Sequence, residues 1–282
     1  MRRCEPLLDE PRAVAAGRLA LLGGRIALEH LRRPALRRKA DGSVLTDVDE
    51  AIQERLCGEI RAAFPRDGIL AEEGGVASTW PAHPRDWWVV DPLDGTANFA
   101  LGIPGFSISV GILRNGMPLA GAVYDPIADW LYTACAGHGA WVNGRRLTLS
   151  PRSLSAHSYV AIRTPYPGEV PAFVLRWLTQ YRLRRFGSTA VQLCYVASGA
   201  LALVHDQRAM LWDIAGAAPI LLEAGGTLTA PDGSSLFPLD PARYRGEPVA
   251  FLAGDPQGHA EGLAEILCTT AEAVAEPVFH GA

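Results

Sequence analysis

The chain has 282 residues, 49% of them hydrophobic and 20% charged, which excludes a disordered protein and allows one large core or two that share an interface. A formal net charge of -4 leaves no basic excess to neutralise a nucleic-acid backbone or an anionic membrane, so small-molecule partners are expected rather than nucleic acid or membrane. Five cysteines (Cys4, Cys57, Cys135, Cys194, Cys268) are widely spaced and never form a Cys-x-x-Cys pair, which argues against a disulfide framework or zinc site and fits a reducing cytoplasm.

In chain order, apolar residues from Pro11 to about Leu31 recur at near-helical spacing and stop at arginines and Pro34. Arg18 and Arg25 break this stretch, so neither a secretory segment nor a membrane span is expected there. A second helix is expected behind Thr46 as its cap, with acids in the first turn and an Ile52, Leu56, Ile60, Ala63 stripe ending at Phe64-Pro65. Trp87 to Val90 reads as a buried strand stopped by Asp91-Pro92. Strands are then expected over 106–113, 119–124, 131–134 and 139–142, with Asn115-Gly116 and Asn143-Gly144 as two-residue turns.

Beyond about Ser150 the pattern becomes α/β: a strand over 159–162, a helix over 170–181, a strand over 183–186 and a helix over 188–204. An apolar run at 209–211, a helix over 213–223 closed by Gly225-Gly226, short strands and a last helix over 256–268 complete it. The expected organisation is an N-terminal α+β part, 1–150, and a C-terminal α/β part, 151–282, meeting inside one compact body.

The segment Trp88-Val89-Val90-Asp91-Pro92-Leu93-Asp94-Gly95-Thr96-Ala97-Asn98-Phe99 carries the most chemical information. Asp91-Pro92 alone would be a strand stop and Asp94-Gly95 alone a turn, but together they place two carboxylates where an apolar strand leaves the core. Hard divalent cations want several oxygen ligands, which Asp91, Asp94 and the Leu93 carbonyl can offer. Gly95 and Thr96 can then offer backbone N–H groups to phosphate, and Thr96 a hydroxyl to orient water. Glu72-Glu73 alone would be a solvated loop. Asp213, in Leu211-Trp212-Asp213-Ile214-Ala215-Gly216, is an N-cap or a metal ligand, and Asp49 a first-turn or capping-box acid or a ligand. Unit charges about 4 Å apart at an effective dielectric near 20 repel by roughly 4 kcal/mol, so clustered carboxylates need cations. No Gly-x-Ser-x-Gly elbow or P-loop is present, and the histidines show no metal-ligand spacing and read mostly as surface residues.

Asp91-Pro-Leu-Asp94-Gly-Thr96, Ala71-Glu72-Glu73 and Trp212-Asp213-Ile-Ala-Gly together resemble the inositol monophosphatase family. Lys39-Ala-Asp-Gly-Ser-Val-Leu-Thr46-Asp-Val-Asp49, Gly187-Ser188-Thr189 and Glu223-Ala-Gly-Gly follow the same order. The resemblance implies an αβαβα layered sandwich, a homodimer, Li⁺ sensitivity and two to three Mg²⁺ ions. It implies a first ion on Glu72, Asp91 and the Leu93 carbonyl, a second on Asp91, Asp94 and Asp213, and a weaker third on Glu72 and Asp49. Glu72 and Thr96 would orient the attacking water, Gly95 and Thr96 would hold the phosphate, and Gly187, Ser188 and Thr189 would line the wall for the organic part.

Inositol-directed relatives place a glutamate where this chain has Asp206, one methylene shorter. The expected substrate is inositol 1-phosphate or a similar polyol phosphate. Histidinol phosphate, whose amine could pair with Asp206, is the alternative, ahead of sugar bisphosphates and 3′-phosphoadenosine compounds. A role as a binding partner of the transcription machinery is the non-enzymatic reading.

Overall fold

The computed structural model describes residues 10–31, 36–38, 44–73, 84–166 and 168–275. The Lys39 to Ser43 and Gly74-Gly75 parts of the sequence pattern lie outside the described residues.

Helix α1 (Pro11–His30) starts with Pro11 and a Glu10 cap, and the hairpin β1 (Leu36–Arg38) and β2 (Val44–Thr46) leads into α2 (Asp47–Ala63), capped by Thr46 as expected. Strands β3 (Gly68–Ala71) and β4 (Asp86–Asp94), the short helix α3 (Thr96–Leu101), and β5 (Ser107–Arg114), β6 (Met117–Asp125), β7 (Trp130–Cys135), β8 (Gly139–Val142) and β9 (Arg145–Leu147) follow. These strands make a sheet in the order β3-β4-β5-β6-β7-β8-β9, antiparallel except for the β3–β4 pair. Asn115 and Asn143 take φ of 52° and 49°, each followed by a glycine with positive φ, so both Asn-Gly turns match the twist of their hairpins.

The chain continues through β10 (Tyr159–Ile162), α4 (Ala172–Gln180), β11 (Arg182–Arg184), α5 (Thr189–Ala197), β12 (Leu203–Asp206), α6 (Leu211–Ala215), α7 (Ala218–Glu223), β13 (Thr227–Thr229), β14 (Phe251–Gly254) and α8 (Pro256–Ala275). The second sheet has the order β11-β10-β12-β14-β13. Helices α1 and α2 cover one face of the first sheet, α5 to α7 lie between the sheets, and α4 and α8 cover the far face of the second. This is the αβαβα sandwich. Apolar residues fill each space between layers: Ile52, Trp88 and Ile108 under α1 and α2, Val89, Tyr132, Leu193 and Ile220 between the sheets, and Trp177, Leu203 and Ile266 under α4 and α8.

Five expectations change. The helix read over 188–204 ends at Ala197, because the chain turns at Gly199, whose φ is 76°, and re-enters the second sheet as β12. The helix read over 213–223 is two helices, α6 and α7, with Pro219 in the first turn of the second. Helix α3 follows Gly95 where no element was expected, and α8 runs past Cys268. Asp91-Pro92 does not stop β4.

That last difference positions the site. Along a regular strand, residues three apart point to opposite faces. Asp91 pairs with Ser109 and Asp94 with Ser107, so β4 carries one extra residue against β5. The bulge absorbs Pro92, which has no N–H to give the ladder, and brings both aspartates to the same side.

Candidate active site

A cleft of about 460 Å³ is lined by Glu72, Asp91, Leu93, Asp94, Gly95, Thr96, Gly187, Thr189, Asp206 and Asp213, together with Arg163 and Arg185. Asp49 and Ser188 stand behind this lining, the first bonded to Thr96 and the second to Asp94. Every residue named from the sequence is therefore in the wall or touches it. A larger cleft of about 640 Å³, lined by rings such as Trp130, Tyr132, Phe186 and Tyr195, carries no carboxylate.

Each acid is held by a local device. Glu72 follows β3, and its N–H donates to the Val90 carbonyl at 3.2 Å, beside Asp91. Asp91 Oδ1 accepts from the Leu93 N–H at 3.0 Å. Asp49 closes the capping box of α2, its Oδ2 accepting from the Thr46 N–H at 2.9 Å and the Thr46 hydroxyl at 2.5 Å. The Thr96 hydroxyl lies 2.9 Å from both Asp49 Oδ1 and the Leu93 carbonyl, and its single proton serves one of them at a time.

Asp94 ties the two halves of the cleft together. Its Oδ2 accepts from the Ser188 hydroxyl at 2.6 Å and the Ala190 N–H at 2.7 Å, and its Oδ1 from the Thr189 N–H at 3.2 Å. Asp213 is the third residue of α6 rather than its cap, and its Oδ2 accepts from the Met210 N–H at 3.0 Å. Gly95 has φ of 92°, and a Cβ there would lie 2.6 Å from the Gly105 carbonyl, so the turn between β4 and α3 requires glycine.

Two participants had no assigned role in the sequence reading. Asn98 donates to the Gly105 carbonyl at 2.7 Å and the Phe186 carbonyl at 2.6 Å, clamping α3 to the Gly187 loop. Its only signal was its place in the aspartate motif. Arg163, directly after β10, lies 3.6 Å from Asp213 Oδ2 and had no signal, since an arginine after a strand is commonplace.

Burial, followed by the charges of Glu72, Asp94 and Asp213, pushes the Asp91 carboxyl well above the usual range. Burial, then Asp94 and Glu72, raise Asp213 against the Met210 N–H and Arg163. Asp94 is pushed up to about 6 by burial, with the bonds from Ser188, Ala190 and Thr189 opposing. Asp49 is raised by burial against the hydroxyls of Thr46 and Thr96.

No three of these side chains, among the described residues, converge into a ready-made metal cage. The donor chemistry nevertheless fits a hard divalent cation: Glu72, Asp91, Asp94 and Asp213 line one cleft with two arginines, and Asp91 Oδ2 and Asp213 Oδ1 take no hydrogen bond among the described residues. Carboxyls raised in the folded state bind protons more tightly there than in the unfolded chain, where they titrate at about 4. Their contribution to the metal-free protein is therefore largest at low pH and falls as pH rises from about 4 through about 6, the Asp94 value. Mg²⁺ is expected to raise Tm more at about pH 7.5 than at about pH 5, because fewer protons then occupy the site. Scanning fluorimetry with and without Mg²⁺ checks this, and equal shifts at both pH values would contradict a carboxylate site.

Thiol nucleophiles are poorly placed. Cys57, Cys135 and Cys194 are buried, and burial raises all three thiols. The histidines are expected mostly at the surface; His205 and His259 are buried, burial lowers both, and neither lines the cleft.

With acids on β4, α2 and α6 and the loop after β3 gathered around one cleft, comparison with known proteins becomes informative. The family model described as the Inositol monophosphatase family matches residues 9–273. The chain belongs to the inositol monophosphatase family. As a member of that family it is a phosphatase of phosphate monoesters. The inositol-1-monophosphatase of Mesorhizobium japonicum is 34% identical over 203 residues, covering 69% of this chain and 75% of the relative. The Nus factor SuhB of Pasteurella multocida is 34% identical over 223 residues, covering 76% and 82%. The solved structure of the Thermotoga maritima IMPase superposes with a TM-score of 0.80 at 27% identity, covering 93% of this chain and 98% of that one.

Proposed function

We propose that this phosphatase uses Mg²⁺ to hydrolyse inositol 1-phosphate or a similar polyol phosphate by direct attack of water. The observation that carries the reading is that buried Asp91 and Asp94 and half-buried Asp213 share one cleft with Glu72; burial raises all three aspartates, and the charges of Glu72, Asp94 and Asp213 raise Asp91 further, a charge excess that asks for cations. Glu72, Asp91 and the Leu93 carbonyl would hold one ion, Asp91, Asp94 and Asp213 a second, and Glu72 with Asp49 a weaker third. When bound, the ions neutralise the phosphoryl oxygens and the leaving oxygen.

The residues of the chain do the rest. Glu72 and Thr96 orient a water whose oxygen attacks phosphorus as the ester P–O bond breaks and the leaving oxygen takes up a proton. Asp49 fixes the Thr96 hydroxyl from behind, at 2.9 Å. Backbone N–H groups of Gly95 and Thr96 face the phosphate, while Gly187 and Thr189, with Ser188 behind them, shape the wall for the polyol. Phosphate release should require Mg²⁺, vanish with a chelator and rank inositol 1-phosphate above histidinol phosphate by kcat/KM. Release unaffected by chelation would overturn the metal mechanism, and a preference for histidinol phosphate would overturn the substrate.

A cytoplasmic homodimer is part of the same reading. Free Cys57, Cys135, Cys194 and Cys268 fit a reducing compartment, and no helix among the described residues is long and apolar enough to cross a membrane. Light scattering of the purified protein decides the assembly. The SuhB relative's name, Nus factor, favours as a second reading a partner role in transcription. Such binding would survive Asp91→Asn, whereas phosphate release would not.

A further inference from the structure

The larger cleft, about 640 Å³, shares no lining residue with the catalytic one and is of a size that holds a small-molecule ligand. Its walls come from β7, β8 and β9 of the first sheet, β10 and β11 of the second, and the end of α5. Arg184 lines this cleft and Arg185 the catalytic one, so the chain leaving β11 runs between the two.

Three kinds of group line it. Tyr195 stands edge-on to Trp130 and to Phe186, with centroid distances of 6.2 and 5.0 Å, and Trp130 is 43% exposed, so much of its indole is open to a flat ligand. Arg145 and Arg184 add positive charge, and neither meets a carboxylate among the described residues. The Arg184 guanidinium lies 4.7 Å from the centre of the Tyr159 ring, a cation–π contact that holds it at the wall. Tyr132 is the third. It is 1% exposed, and its hydroxyl takes no hydrogen bond among the described residues, although a buried phenol usually finds a partner. Burial pushes that phenol up, so it keeps its proton and can donate.

Together these groups select one chemistry. Rings stack on a flat ligand, guanidinium groups pair with an anionic group through charge-assisted hydrogen bonds, and a phenol O–H donates to an acceptor atom. An aliphatic anion would leave the rings unused, and an uncharged arene would leave both arginines so.

We propose that this cleft is a second, non-catalytic binding site, and that its ligand is a small planar aromatic anion held by Trp130, Tyr132, Arg145 and Arg184. Phe186 precedes Gly187 of the catalytic wall, and its carbonyl accepts from Asn98 at 2.6 Å, so the ligand would sit beside the catalytic cleft without entering it.

Isothermal titration of the full chain with 2-naphthalenesulfonate tests this, since a sulfonate carries the charge and offers no phosphate ester to hydrolyse. It should bind about tenfold or more tightly than either 2-naphthol, which lacks the anion, or cyclohexanesulfonate, which lacks the ring. Trp130→Ala should weaken it about tenfold, and Arg184→Gln and Tyr132→Phe each about fivefold, while Arg185→Gln, one residue along but in the other cleft, should leave it unchanged. Trp130 and Arg184 are exposed and Tyr132→Phe keeps the ring, so the variants should fold, which an unchanged Tm verifies. No binding by the unsubstituted chain, equal binding of all three compounds, or a loss in Arg185→Gln matching that in Arg184→Gln overturns the site. Light scattering covers the other occupant: if the probe does not bind and Trp130→Ala lowers the oligomeric mass, the cleft is an interface between copies of this chain and the ligand site is wrong.

Discussion

Asp91→Asn is expected to lower kcat/KM for Mg²⁺-supported phosphate release by on the order of 10³ while leaving the metal-free protein as stable as before or more so. The two effects have one cause. Asp91 is 1% exposed and faces the charges of Glu72, Asp94 and Asp213. An asparagine keeps an oxygen to accept the Leu93 N–H, which Asp91 takes at 3.0 Å, and removes the repelled charge. What disappears is the anionic oxygen that two ions would share. The Tm increase on adding Mg²⁺ should shrink in parallel. A structural acid would behave the other way, with Tm falling and activity following it, so a destabilised variant that still turned over would sink the assignment.

How much of this was legible depends on whether the sequence signal and the structural cause act over the same distance. The hairpins were readable because Asn-Gly supplies the positive φ that a two-residue turn needs, a requirement confined to the turn. The aspartate motif was readable because Asp-Pro and Asp-Gly in one short stretch exceed what a turn requires. The bulge was not, since period-two reasoning sends Asp91 and Asp94 to opposite faces and only pairing with Ser109 and Ser107 reveals the extra residue. The burial of His205 was not readable for a similar reason: its Nδ1 lies 3.0 Å from the Phe251 carbonyl and its ring packs on Phe173, contacts made by distant segments. Arg163 and Arg185 carried no signal because they come to one cleft only through the parallel pairing of β10 with β11.

The glycines of the first sheet invert a local rule, and Gly121→Val tests that inversion. By strand propensity alone, valine in β6 should help, since glycine in a strand interior costs roughly 0.5–1 kcal/mol. Gly121 pairs directly with Gly111 of β5, and the junction of α6 and α7 rests on this bare patch. A Cβ at Gly111 would meet the Ala215 carbonyl and lie 2.7 Å from the Gly216 nitrogen; one at Gly121 would meet the Gly216 carbonyl and lie 2.7 Å from Pro219 Cγ. These neighbours are mostly backbone, which cannot rotate away as a side chain can. Gly121→Val is therefore expected to cost about 3 kcal/mol or more, a fall in Tm of roughly 6–12 °C. Because Asp213 lies two residues before Ala215, lifting α6 from the sheet should also weaken Mg²⁺ binding beyond what unfolding explains. Gly58→Ala, on the exposed side of α2 with nothing near its Cβ, should move Tm slightly upward by comparison. A Gly121→Val protein with unchanged Tm would mean that this contact does not hold Asp213 in the cleft.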